Sequence, residues 1–156
     1  MNPAERAAWE RIERRERERV ALHEAAHGVV AARLGARDID MSVNREQGWA
    51  GVCVADLPQD PRTQVTYALA GYVAARAHVG ATVRVSELVD ILELERRDDL
   101  ARAVERDPGL GASALRDCER IVFSSLSQIE AVAAGLAARS DRSMTGDAGV
   151  HLVRGT

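Results

Sequence analysis

The residues whose types and spacing can do chemistry lie in the run Val20-Ala21-Leu22-His23-Glu24-Ala25-Ala26-His27-Gly28-Val29-Val30. In a helix of about 3.6 residues per turn, His23 and His27 stand one turn apart on the same face, so their imidazoles can grip one metal ion together. This HExxH spacing is the one used to hold a catalytic Zn2+ through two His nitrogens and a third protein ligand, with one position left open for water. Glu24 is then the expected general base, placed to take a proton from the attacking water and return it to the leaving amine.

Such a site needs a helix, and residues 20–34 are rich in Ala, Leu and Val, with no Pro between Pro3 and Pro58. His23, His27, Val30 and Leu34 share one face, while Ala25, Val29 and Ala32 line another, so the helix is expected to be buried. Burying two imidazoles and a carboxylate without partners is costly, which favours a metal as their common partner.

Around this helix the chain reads as mainly α. Asn2-Pro3 can cap a helix over residues 4–19 that runs on into the motif helix. Its five Glu and six Arg across residues 1–19 nearly cancel, with favourable pairs Glu10–Arg14 and Glu13–Arg17, and suit a solvated or partner-facing helix. Gly35 ends the motif helix. Asp38–Val43 alternates polar with apolar residues, Asn44–Gly48 reads as a turn, and Trp49–Leu57 resumes as a second strand. The result is a two-stranded ribbon in which Gly51 marks a close backbone approach.

Asp60-Pro61 opens a helix that ends at Gly80, with Ala70-Gly71 permitting tight packing. His78, near its end, suits the helix C-terminus and is expected to be structural. Ser86–Glu105 reads as one further helix, broken by Asp107-Pro108-Gly109. Residues 113–139 form a long amphipathic stretch with an interruption expected at Ser124-Ser125, and Thr145 can cap a short last helix toward Leu152. His151 is expected on the surface. The fold class is therefore a helical array of about five to six helices with a two-stranded β-ribbon. Residues 1–19 form a charged helix continuous with a single domain over 20–156.

With 156 residues the chain is long enough to bury a core without staples. A net charge of −3 argues against nucleic acid as a partner. All 21 basic residues are Arg, so no Lys is present for Schiff-base chemistry. Cys53 and Cys118 lack CxxC spacing, which argues against a disulfide framework or a thiolate zinc site and is compatible with a reducing cytoplasm. No apolar run is expected to reach the length needed to span a bilayer and the N-terminus is too charged for a signal peptide, so a cytoplasmic location is expected.

Two histidines need a third donor. Asp98-Asp99-Leu100 stands out, with Glu87, Asp90, Glu93, Glu95 and Asp98 as rivals. Asp98 and Asp99 would point about 100° apart on a helix, so only one of them can face a metal.

Several segments, in order, resemble the peptidase domain of FtsH-type ATP-dependent zinc metalloproteases. They are His23-Glu24-Ala25-Ala26-His27, then Ala50-Gly51-Val52 and Asp56-Leu57-Pro58, then Leu69-Ala70-Gly71, then Asp98-Asp99-Leu100. Ile129-Glu130-Ala131-Val132-Ala133 and Met144-Thr145-Gly146-Asp147 echo further family patterns, and the resemblance spans nearly all of residues 18–154. It implies a zincin-like helix with His23, His27 and Asp99 as Zn2+ ligands and Glu24 as base. It also implies a strand at Gly51, Val52 and Cys53 that pairs with an extended polypeptide substrate.

Departures from the family pattern are Ala26 in place of Gly, Ala75-Arg76 in place of an acidic pair, and a longer spacer from Gly80 to Asp99. No P-loop GxxxxGK[ST] occurs, so a partner ATPase or assembly into a homo-oligomer would have to control substrate entry. The expected function is a stand-alone zinc metalloendopeptidase. The alternatives are a non-catalytic interaction protein on the same scaffold and a regulatory zinc protease that cleaves one protein.

Overall fold

The computed structural model describes residues 1–44 and 50–139. The first helix, α1, runs unbroken over Pro3–Arg33, about 46 Å at 1.5 Å per residue. It starts from a capping box: the Asn2 side chain accepts from the Glu5 backbone N–H, and the Glu5 carboxylate accepts from the Asn2 backbone N–H. Its two halves differ. Residues 3–19 are largely exposed, including Trp9 and Ile12, whereas burial begins at Val20 and holds through Ala31 except at Leu22 and His23.

Strands β1 (Ile39–Asn44) and β2 (Ala50–Ala55) form the expected antiparallel ribbon, with Met41 opposite Cys53 and Val43 opposite Gly51. Ile39, Met41 and Val43 turn one face of β1 into the core, as the alternation requires. Helix α2 (Pro61–His78) begins where Asp60 accepts from the Thr63 N–H and Pro61 takes the first turn. A 3₁₀ turn over Val85–Glu87 leads into α3 (Leu88–Leu94), which is followed by α4 (Asp98–Arg106) and the long α5 (Pro108–Arg139). Helices α1, α2 and α5 pack on one another, the ribbon lies against α1, and α3 and α4 close over α2 and α5.

Three expectations are corrected. The single helix over Ser86–Glu105 is a 3₁₀ turn and two α-helices, because the chain reverses at Arg96, whose φ of 56° no helix continues. Helix α5 is not interrupted at Ser124-Ser125: the Ser124 hydroxyl donates back to the Ile121 carbonyl, and Ser125 is buried in the helix packing. Helix α5 is also long and apolar enough, by length and composition, to cross a membrane. Here its stripe of Leu115, Cys118, Val122, Ile129, Val132 and Leu136 is buried in the core. The expected last helix, Met144–Asp147 and His151 lie outside the described residues.

Candidate metal centre

His23 and His27 reach the site from the buried half of α1, and α2 supplies the wall behind them. The His27 Nδ1 lies 2.9 Å from the Tyr67 backbone oxygen. A carbonyl only accepts, so Nδ1 carries a proton, and a neutral imidazole in this orientation would offer its Nε2 lone pair to a metal. The Tyr67 ring packs against His27, with centroids 4.9 Å apart, and Tyr72 meets His23 edge to face at 5.2 Å. Gly71 lies directly under the His23 ring, where a Cβ would come within 2.3 Å of its atoms. The small-residue segment of α2 thus leaves the space that one imidazole occupies.

The carboxylate that the fold brings to the two imidazoles is that of Glu95. Its Oε1 stands 2.7 Å from His23 Nε2 and 3.7 Å from His27 Nε2, and the two imidazole nitrogens are 3.2 Å apart. Donors about 2.1 Å from a tetrahedral Zn2+ are separated by about 3.4 Å, so the three edges of this triangle bracket the required spacing. Among the described residues these three side chains form a group that could hold a metal ion. Burial works to raise the Glu95 carboxyl, but hydrogen bonds and charge from His23 and His27 outweigh it and hold the group down at about 2. It is therefore an anionic donor.

Asp99, the ligand implied by the family pattern, is not brought to the histidines. Its carboxylate is 69% exposed, against 23% for Glu95, and takes the Nε and Nη2 N–H groups of Arg97 at 3.3 Å each. The cause is the reversal at Arg96: Glu95 caps the end of α3 toward the imidazoles, and Asp99 falls in the first turn of α4 facing solvent.

Glu24 is 7% exposed and lines the same cleft as His27 and Glu95. Burial raises its pKa, an effect opposed by His27 and His23 and reinforced by Glu95. Gly51 allows β2 to pass close over it, since a Cβ there would fall 2.4 Å from the Glu24 Cγ. Val52 and Cys53 line the cleft beside Gly51, and its volume is about 240 Å³. Burial pushes the Cys53 thiol up to about 12, which disfavours the thiolate that a cysteine nucleophile needs. The Tyr67 hydroxyl donates to the Cys53 carbonyl at 3.0 Å, tying α2 to β2.

Arg76, which stands where the family has an acidic residue, turns away from this site and forms an ion pair with Glu87 at 2.7 Å. His78 lies near the Glu130 carboxylate at 3.7 Å, outside the cluster. Sequence reasoning missed Tyr67, Tyr72 and Arg97. For Tyr72 the signal was at hand in α2, since it directly follows the Gly71 that admits the His23 ring; Tyr67 lies one turn earlier and meets His27 instead. Comparisons of the chain with known protein families, with curated proteins and with solved structures returned no match.

Proposed function

We propose that this chain is a zinc metallopeptidase, built on a plan like that of the FtsH-type peptidase domain, which hydrolyses peptide bonds in unstructured polypeptides. One observation carries the reading: two imidazole nitrogens and a half-buried carboxylate oxygen converge within 3.7 Å of one another, in a cleft that also holds Glu24 and an edge strand. His23 Nε2, His27 Nε2 and Glu95 Oε1 would hold the ion. When bound, Zn2+ supplies Lewis acidity at the scissile carbonyl.

The remaining work falls to the chain itself. Glu24 takes the proton of the attacking water as its oxygen bonds to the carbonyl carbon, then passes that proton to the amine nitrogen as the C–N bond breaks. Its raised pKa suits a carboxyl that must hold a proton between the two steps. Tyr67 fixes the tautomer and orientation of His27 through its carbonyl and steadies β2 through its hydroxyl. Among the described residues β2 pairs only with β1, which leaves its other edge for an extended peptide read by its backbone. A partner ATPase or self-assembly would govern which chains reach the cleft.

The test is metal content per chain in protein purified without added metal, followed by cleavage of casein and short peptides. Near-stoichiometric zinc that is lost in His23→Ala, with cleavage lost and zinc kept in Glu24→Gln, is the expected result. Little zinc in either protein after incubation with zinc would overturn the reading and leave a non-catalytic scaffold.

A further inference from the structure

The cleft that holds Glu24, His27 and Glu95 is also lined by a guanidinium, that of Arg97. Its backbone is fixed, because the Arg97 N–H donates to the Leu92 carbonyl at 2.8 Å as α3 ends. Its side chain is held from two sides, with Nη1 donating to Gln64 Oε1 at 3.1 Å and Nε and Nη2 donating to Asp99 at 3.3 Å. The side chain is one-third exposed, and its Asp99 partner is mostly in solvent. Among the described residues two of the five guanidinium N–H groups are left over, and the contacts to Asp99 are long for charge-assisted bonds and open to water. An incoming carboxylate can therefore use the spare donors or displace Asp99 at little cost.

A positioned fork of donors facing a cleft suits a planar carboxylate better than a point charge would. Resting on the peptidase reading of this cleft, we infer that Arg97 is a specificity-determining residue that selects polypeptides presenting a carboxylate beside the scissile bond. Asp99 is the internal counter-ion that this carboxylate replaces. The carboxylate can come from an acidic side chain or from the free C-terminus of the peptide.

The experiment uses the full zinc-loaded chain and two pairs of fluorescent peptides. One pair differs only in Glu against Gln at a single position, the other only in a free against an amidated C-terminus. Binding is measured in Glu24→Gln and cleavage in the otherwise unaltered protein. In one of the pairs the carboxylate peptide is expected to bind about fivefold to tenfold more tightly than its amide partner, and that pair identifies the source. Arg97→Met in the Glu24→Gln protein, with zinc content unchanged, brings this ratio to about one, and Asp99→Asn raises it by freeing the guanidinium.

If Arg97 only ties the α3–α4 corner to α2, Arg97→Met weakens both members of each pair alike and leaves the ratio as it was, which overturns the inference. Equal binding within both pairs, or a ratio unaltered in Asp99→Asn, overturns it as well. The second of these holds even if Arg97→Met fails to fold. Cleavage without charge preference sinks this inference and spares the peptidase. Charge preference without cleavage, lost in Arg97→Met, does the reverse.

Discussion

Among the described residues three helices end in the same way, and two of them do so on glycine while the third does so on arginine. At the end of α1, Gly35 donates to Ala32 and Ala36 donates to Ala31; at the end of α2, Gly80 donates to Ala77 and Ala81 donates to Arg76. At the end of α3, Arg96 donates to Glu93 and Arg97 donates to Leu92. Each is a Schellman closure with its turning residue at positive φ: 90° at Gly35, 73° at Gly80 and 56° at Arg96. Glycine adopts that conformation freely, whereas a residue with a Cβ pays roughly 1–2 kcal/mol. The strained corner is the one that delivers Glu95 to the histidines, so the molecule accepts unfavourable backbone where the candidate site is assembled.

The largest test of this contrast compares the two carboxylates on either side of the corner. Glu95→Gln is expected to abolish stoichiometric metal binding, and Asp99→Asn to leave it intact, as measured by metal content per chain; metal lost only in Asp99→Asn would return the ligand role to Asp99. Next in size is Gly71→Ala. Its new Cβ would press on the His23 ring, and we expect about 2 kcal/mol of lost stability in denaturant titration together with about tenfold weaker zinc affinity. Loss of stability without loss of affinity would show that the ring has room to shift.

The smallest effects form a mirrored pair. Gly35 has nothing within 4 Å of where a Cβ would stand, so Gly35→Ala isolates the backbone term and is expected to lower stability by about 1 kcal/mol. Arg96→Gly should raise the thermal midpoint by a gain of up to about 1 kcal/mol at an unchanged metal content. No gain there would mean that Arg96 makes compensating contacts through its side chain.

The same corner explains where sequence reasoning held and where it failed. Asp60-Pro61 and Gly80 bracketed α2, Asn2-Pro3 opened α1, and the alternation over Asp38–Val43 located β1, because each carries a local signal whose energy is local. Gly51 and Gly71 were read as points of close approach, and both prove to sit against site residues, Glu24 and His23. The reversal at Arg96 carries no glycine, so the apolar pattern of Leu88, Ile91, Leu92, Leu100 and Val104 read through it as one helix. The Ser124-Ser125 pair misled in the opposite direction: a serine in a helix can return its hydroxyl to the preceding turn, as Ser124 does.

The amino-acid sequence by itself determined that His23, Glu24 and His27 stand together, because a period of 3.6 residues places two imidazoles four residues apart on one face whatever surrounds the helix. It also marked Ala70-Gly71 as a place of tight packing, though not what would pack there. Only the tertiary structure decided which carboxylate completes the set. Glu95 and Asp99 are four residues apart and of one chemical class. Which of them reaches the histidines depends on a chain reversal held by packing of α3 and α4 over α2 and α5, a long-range energy that no local window contains.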